Sequence, residues 1–190
     1  MEADKRLIVT GASGVGKTTL VEMLAPLLSL SVIPELGRKL CHDMGHERIG
    51  EIPDQEDFKW KVLNAQIEAE NEKHSFISDR STVDCWVLWQ RWNICSAMTY
   101  DTEAYYDKSR AQAQKYTHII YIPPMFPPVE DGFRWTEPDY QKQIDRLVRL
   151  TIFDWRLSEI TYVVQSLDNK SRLEEIRNWL ESPQKSDSKA

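Results

Sequence analysis

The sequence contains little cysteine, no excess of basic residues and no long apolar stretch. Its three cysteines, Cys41, Cys85 and Cys95, form no C-x-x-C pair, which favours a reduced, cytoplasmic setting. No stretch is apolar enough to cross a membrane and no signal peptide is evident, so we expect no membrane partner. The net charge of -6 argues against a general nucleic-acid binder, although it is compatible with a local basic pocket.

Internal repeats and linker-like segments are also missing. A chain of 190 residues with 41% hydrophobic and 28% charged residues is typical of one globular domain. We therefore predict a single domain over residues 1–181 and a polar, disordered tail over residues 182–190. Strand and helix patterns alternate along this domain, which predicts an α/β fold with a mostly parallel sheet.

One motif carries strong functional information. Residues 11–18 fit the phosphate-loop pattern G-x-x-x-x-G-K-[ST] at every position, between an apolar strand and a helical pattern. The alternative is a Gly-rich turn before an ordinary helix, which does not require every position to match. In a phosphate loop, glycines allow a tight turn, and the backbone N–H groups wrap a polyphosphate at a helix N-terminus.

The motif assigns roles to its residues. Lys17 is predicted to reach the outer phosphates, and the Thr18 hydroxyl to bind Mg²⁺. The predicted nucleotide-binding residues are Gly11, Ser13, Gly14, Val15, Gly16, Lys17, Thr18 and Thr19.

Hydrophobic periodicity assigns the other elements. The predicted strands span about residues 6–10, 31–33, 75–78, 117–122 and 160–164. The predicted helices span about residues 17–30, 35–44, 54–73, 82–92, 102–114, 136–155 and 172–180. In the third helix we expect one stripe to face the core, namely Phe58, Val62, Ala65 and Ala69.

Polar residues directly follow several predicted strands. Ligands of open α/β sheets bind beyond the carboxyl ends of the strands, where Glu35, the Asp79-Arg80 pair and the loop after Ile122 join the phosphate loop. Asp79 suits the acidic residue that holds Mg²⁺ together with the loop hydroxyl, or it caps the following helix. Glu35 either accepts a proton from an attacking hydroxyl or interacts with a helix dipole.

Arginine is the other residue type that phosphoryl transfer needs, because charge spreads over the equatorial oxygens of the moving group. Arg80 and Arg134 are the strongest candidates, and Arg134 lies in a proline-rich loop whose closure would exclude water. Weaker candidates, for which a solvated surface position is favoured, are Arg38, Arg146 and Arg149. The candidate catalytic residues are Lys17, Glu35, Asp79, Arg80 and Arg134.

Two further patterns are interpreted as structural. Trp86, Trp89 and Trp92 are expected to pack in the core and between helices, although one ring could stack on a flat substrate. Asn169-Lys170 resembles part of a guanine-reading motif, but Arg172 stands where that motif requires aspartate, which argues against a small GTPase.

On these motifs the sequence resembles the P-loop nucleoside and nucleotide kinases. The Asp79-Arg80 pair is similar to the D/E-R element of nucleoside and thymidylate kinases. Residues 130–134 resemble the lid of the nicotinamide-riboside kinase part of the bifunctional bacterial NAD regulator, and residues 9–19 and 34–38 also match that family. The likeness covers about residues 5–180, but the aromatic stretch over residues 86–106 departs from it. Because no adenylyltransferase half is present, we expect a protein other than the bifunctional regulator.

The resemblance implies a three-layer P-loop NTPase fold, with a five-stranded parallel sheet in the order 2-3-1-4-5 and a lid over about residues 123–137. It implies ATP as phosphate donor, Mg²⁺ as cofactor and a small nucleoside or nucleotide as acceptor, and it leaves a homodimer open. By position, Lys17 and Thr18 would hold phosphate and metal. Asp79 would support metal or acceptor, and Arg134 would close on the phosphates.

We therefore predict an ATP- and Mg²⁺-dependent phosphotransferase that moves the γ-phosphate to a hydroxyl of a nucleoside-like or nucleotide acceptor. One alternative is an ATPase switch or regulator without a small-molecule acceptor. Another is a kinase that acts on a modified base in DNA. A nucleotide-binding module without chemistry is the least favoured, because Glu35, Asp79 and Arg134 accompany an intact phosphate loop.

Overall fold

A computed structural model of the chain describes residues 4–127 and 137–182. Most of the predicted lid, including Arg134, falls on residues 128–136 and lies outside the described residues. The same holds for residues 183–190 of the predicted tail. The lid, the tail and the role of Arg134 therefore stay predictions.

One parallel sheet organises the fold. Its strands are β1 (Arg6–Thr10), β2 (Ser31–Ile33), β3 (Phe76–Asp79), β4 (His118–Tyr121) and β5 (Thr161–Val163). They lie in the order β2-β3-β1-β4-β5, and every neighbouring pair is parallel. The predicted α/β class and strand order are confirmed. Because β1 is central, the loop that follows it has the ends of β3 and β4 on its two sides.

Helices connect the strands, as parallel pairing requires. They are α1 (Lys17–Leu28), α2 (Leu36–Asp43), α3 (Gln55–Asn71), α4 (Thr82–Trp92), α5 (Thr99–Ala113), α6 (Pro138–Asp154) and α7 (Asn169–Glu181). Single 3-10 turns occur at Ile49–Glu51 and Ser158–Ile160. The predicted bounds agree with these to within about three residues, the usual uncertainty of helix ends. Among the described residues, no helix combines the length and apolar character that a membrane crossing needs.

The core lies between the sheet and its helices. Apolar residues of β1, β3 and β4 are almost fully buried, as the near-continuous apolar runs of a parallel sheet predict. Trp86 and Trp89 are buried as expected, and the Trp89 ring stacks on Tyr105 at 4.1 Å between centroids. Trp92 differs because its side chain is 41% exposed.

The buried face of α3 is more polar than its periodicity predicts. Phe58 is buried as predicted, but Val62, Ala65 and Ala69 are only partly buried. The fully buried residues further along the helix are instead Leu63, Gln66 and Glu70. A stripe that is offset from the apolar one therefore faces the interior, and its polar members need buried partners.

Glu70 finds those partners on its own helix, on α5 and in the segment between α5 and β4. Its carboxylate accepts hydrogen bonds from Gln66 Nε2 at 2.8 Å, from Gln112 Nε2 at 2.8 Å and from the Tyr116 hydroxyl at 2.9 Å. The Tyr116 hydroxyl in turn accepts from the backbone N–H of Thr82 at 3.1 Å. Thr82 is the first residue of α4, so this network fixes one end of the turn between β3 and α4. Asp79 and Arg80 lie at the other end of that turn.

Candidate active site

The phosphate loop connects β1 to α1 and requires glycine at several positions. Gly11, Gly14 and Gly16 have φ values of 144°, 79° and 93°, in a region that side chains disfavour. A Cβ on Gly11 would lie 2.4 Å from the backbone oxygen of Ile122, so this glycine also permits a close approach of β1 to the end of β4. The loop and the start of α1 surround a cleft of about 70 Å³ whose lining includes Glu35.

Lys17 lies at the base of this cleft and is only 6% exposed. Its ammonium group donates to the backbone oxygens of Gly11 at 2.9 Å and Ala12 at 2.7 Å. Burial, and then repulsion by Arg80, lowers the pKa of Lys17 to about 7, although the nearby carboxylates oppose the shift. A cation held this unfavourably gains more from an anion than a solvated lysine does.

We expect nucleotide binding to be coupled to protonation of Lys17. A polyphosphate beside the ammonium group raises the pKa of Lys17 from about 7, so at about pH 8 binding should take up close to one proton. The affinity for ATP should therefore fall as the pH rises above about 7. Calorimetry in two buffers of different ionisation enthalpy measures this uptake. An uptake that persists in Lys17→Ala would contradict the assignment to this residue.

Asp79 and Thr18 meet beside the cleft. Asp79 ends β3, and its Oδ2 accepts a hydrogen bond from the Thr18 hydroxyl at 2.5 Å. The other carboxylate oxygen, Oδ1, is buried and has no hydrogen-bond partner. Ser81, rather than Asp79, caps α4 through a bond from the N–H of Val83. A hydroxyl and a carboxylate with a free buried oxygen form the donor set that Mg²⁺ prefers.

Glu35 and Arg80 form an ion pair across the carboxyl ends of β2 and β3. Arg80 Nε lies 2.7 Å from Glu35 Oε1, and Arg80 Nη1 lies 3.4 Å from Asp84 Oδ1. Burial by itself raises the pKa of Glu35, but Arg80, then Lys17 and Arg38, outweigh it and hold the pKa at about 2. Glu35 is therefore ionised at neutral pH, with its carboxylate fixed at the edge of the cleft.

The backbone of Arg80 is strained. Its φ of 78° lies in the left-handed region, which is costly for a residue with a side chain. The backbone N–H of Arg80 donates to Val9 O at 3.1 Å, and the two carboxylates hold its guanidinium. These contacts keep the conformation in place, and they turn the side chain towards Glu35 rather than towards solvent.

The structure brings together Lys17, Thr18, Glu35, Asp79 and Arg80 of the predicted site residues. Arg38 contributes a longer contact, with its Nε 3.6 Å from Glu35 Oε2. Arg146 and Arg149 lie on the exposed side of α6, at the solvated surface positions that the sequence analysis favoured.

Sequence reasoning missed three buried polar residues around the site. Asp84 pairs with Arg80, Gln141 contacts the backbone of Ser13, and Arg172 contacts the backbone of Val15. Arg80 precedes α4 and has a left-handed backbone, so its four-residue spacing from Asp84 was not a helical signal for the first. Gln141 and Arg172 reach the loop from distant elements, so no local pattern marks them.

The comparisons with known proteins agree with the fold. The sequence model of a family described as "AAA domain" matches residues 6–169. No curated protein matches the sequence. Among solved structures, NadR in complex with NR has a TM-score of 0.76 and 17% identity over 97% of this chain and 54% of that chain. NadR in complex with NAD and AMP-PNP has a TM-score of 0.74 and 16% identity, over 97% of this chain and 52% of that chain. The chain thus spans about half the length of these NadR chains.

Two further structures match over nearly their whole length. Deoxyadenosine kinase from M. mycoides with bound dATP has a TM-score of 0.64 and 15% identity over 93% of this chain and 99% of that chain. Shikimate kinase from Acinetobacter baumannii in complex with shikimate has a TM-score of 0.56 and 14% identity, over 94% of each chain. At identities this low, the structural likeness establishes the fold alone, which is that of the P-loop kinases.

Proposed function

This chain belongs to the AAA domain family, and from that membership and its site we propose that it transfers the γ-phosphate of ATP to a hydroxyl group of a nucleoside or nucleotide. The observation that carries the proposal is the position of two carboxylates at one phosphate loop. Asp79 contacts Thr18, which lines the cleft, and Glu35 lines the same cleft. A phosphate-binding site with a metal side and an acceptor side is what a kinase needs.

The donor side consists of the loop, Lys17 and the Asp79–Thr18 pair. Asp79 Oδ1 is buried without a partner, and its neighbour Oδ2 meets the hydroxyl of Thr18, so these residues fit Mg²⁺. When bound there, Mg²⁺ supplies positive charge to the phosphate oxygens. Lys17 adds a second cation from the base of the cleft. The NadR and deoxyadenosine kinase structures with AMP-PNP and dATP support a purine triphosphate as the ligand.

The acceptor side consists of Glu35 and the arginine that holds it. We assign to Glu35 the orientation of the acceptor hydroxyl and the acceptance of its proton. As the acceptor oxygen bonds to the γ-phosphorus, the bond from that phosphorus to the bridging oxygen breaks and ADP leaves. The low pKa of Glu35, about 2, means that the carboxylate is ready to accept a hydrogen bond over the whole neutral range. Proton transfer to it then occurs late, after the hydroxyl has begun to bond to phosphorus.

This assignment predicts different defects for the two carboxylates. Glu35→Gln should lower kcat by about 10²- to 10³-fold and change ATP affinity much less, because the proton acceptor is lost while Arg80 keeps Asp84 as a carboxylate partner. Asp79→Asn should instead raise the Mg²⁺ concentration needed for half-maximal rate, because a metal ligand is weakened. The measurement is the transfer rate at varied Mg²⁺. Glu22→Gln, on the exposed side of α1, is the matched control. A normal Mg²⁺ requirement in Asp79→Asn would reject its metal role.

The test of the proposed function is a transfer assay with γ-labelled ATP. The acceptor panel contains nucleosides, nucleotides and DNA that carries hydroxymethylated bases. Label that appears in a nucleoside or nucleotide supports the proposal, and label that appears only in DNA supports a kinase acting on a modified base. Rapid release of phosphate that no acceptor changes would identify an ATPase switch. Tight ATP binding without any turnover would identify a binding module.

A further inference from the structure

Two buried side chains from outside the phosphate loop hold its backbone oxygens. Gln141 of α6 donates through Nε2 to Ser13 O at 2.9 Å. Arg172 of α7 donates through Nη1 to Val15 O at 3.2 Å. Their side chains are only 5% and 4% exposed. Both bonds span more than a hundred residues of sequence, so they exist only because the fold brings α6 and α7 against the loop.

Each of these bonds orients one backbone amide. In a trans peptide, the carbonyl of one residue points away from the N–H of the next, and the described residues contain no cis peptide bond. Gln141 holds the carbonyl of Ser13 towards α6, so the N–H of Gly14 in the same peptide points away from α6. Arg172 holds the carbonyl of Val15 towards α7, so the N–H of Gly16 points away from α7. Gly14 and Gly16 both line the cleft. We propose that Gln141 and Arg172 are positioning residues that aim these two N–H groups at the phosphates.

The charge environment of Arg172 also favours a bound polyphosphate. Its Nε donates to Ser166 O at 2.9 Å and its Nη2 lies 3.7 Å from Met125 Sδ, so its contacts are neutral. Within residues 4–127 and 137–182 it has no carboxylate partner. A buried guanidinium without an anion is costly. A Cβ on Gly16 would lie 3.2 Å from Arg172 Nη1, which places the charge directly behind the loop. A polyphosphate on the other side of the Val15–Gly16 peptide brings the negative charge that Arg172 lacks among the described residues.

The inference rests on nucleotide binding at the proposed site, and it predicts how affinity depends on phosphate number. Arg172→Met keeps an apolar stem but removes the charge and the bond to Val15 O. We expect it to weaken ATP binding about 30-fold, ADP binding less, and AMP binding less than threefold, because fewer phosphates reach the aligned amides. Arg172→Lys should recover part of the loss because it restores the charge. Calorimetry on the full chain gives the three affinities.

The controls separate positioning from a general role in stability. Arg177→Met removes an exposed arginine of the same helix, 70% exposed at its side chain, and should leave all three affinities unchanged. Gln141→Leu tests the other amide and keeps the inference testable should Arg172→Met fail to fold. In ¹⁵N-labelled protein, Gln141→Leu should reduce the shift that ATP causes at the Gly14 amide. Arg172→Lys should reduce the shift at Gly16.

The outcomes are distinct from those of the transfer assay. Equal loss of affinity for ATP, ADP and AMP in the variants, or shifts at Gly14 and Gly16 that match the wild type, would overturn the positioning role. Wild-type protein that binds ATP but transfers phosphate to no acceptor would reject the proposed function and leave this inference standing. Wild-type protein that binds no nucleotide would reject both.

Discussion

Replacing Lys17 with alanine is expected to reduce phosphate transfer by at least about a thousandfold while the protein stays folded. The ammonium group is the cation at the base of the cleft, and its hydrogen bonds to Gly11 O and Ala12 O place it within the loop. Without it, the negative charge that spreads over the transferred phosphoryl group in the proposed reaction loses a fixed counter-charge. The steady-state rate with saturating ATP and the best acceptor measures the effect.

The same substitution should not destabilise the protein. The pKa of Lys17 is lowered to about 7 from 10.5, chiefly by burial, so the fold disfavours the charged form of this side chain. Removing a group whose charge the folded state disfavours relieves a cost, and the melting temperature of Lys17→Ala should equal or exceed that of the wild type. Lys61→Ala, at a side chain 53% exposed, is the control for loss of a lysine. Transfer within tenfold of the wild-type rate would reject the role of Lys17.

Replacing Gly11 with alanine is expected to cause a large loss of stability. The new Cβ would lie 2.4 Å from the backbone oxygen of Ile122, closer than real Cβ atoms come to other atoms. That oxygen belongs to the chain just after β4, and Ile122 N is itself bonded to Thr10 O, so neither partner can move without breaking the sheet. With φ at 144° in addition, we expect a loss of about 3 kcal/mol or more in the free energy of unfolding.

Alanine substitutions at two other glycines are the controls, and urea denaturation measures the free energy of unfolding of all three variants. Gly45 has a φ of 82°, but a Cβ at this position would meet nothing within 4 Å, so Gly45→Ala should cost only about 1 kcal/mol. Gly50 has equally open space and lies in the 3-10 turn, so Gly50→Ala should be close to neutral. The difference between Gly11→Ala and Gly45→Ala isolates the cost of the clash with Ile122. If the two variants lose equal stability, the close approach of β1 to the end of β4 is not maintained in solution.

The acidic residues show how far a pattern in the sequence can reach. Asp79 could be identified because it ends an apolar strand in a chain with a phosphate loop, and strand ends of a parallel sheet share one edge. Whether it caps a helix or meets Thr18 could not be decided, because the two interpretations differ only in side-chain direction. Glu35 had the same ambiguity. Its partner Arg80 is 45 residues away, and only the pairing of β2 with β3 brings the two together.

The sequence by itself determined the parts that depend on local periodicity and on one contiguous motif: the strands and helices, the α/β class and the phosphate loop. Tertiary structure alone decided which polar side chains meet. The offset polar stripe of α3, the pairing of Asp84 with Arg80 and the contacts of Gln141 and Arg172 with the loop all depend on helix rotation and packing. The physical reason is that periodicity reports which face of an element is apolar. A buried hydrogen bond depends instead on how two elements, distant in sequence, are oriented to within about an ångström.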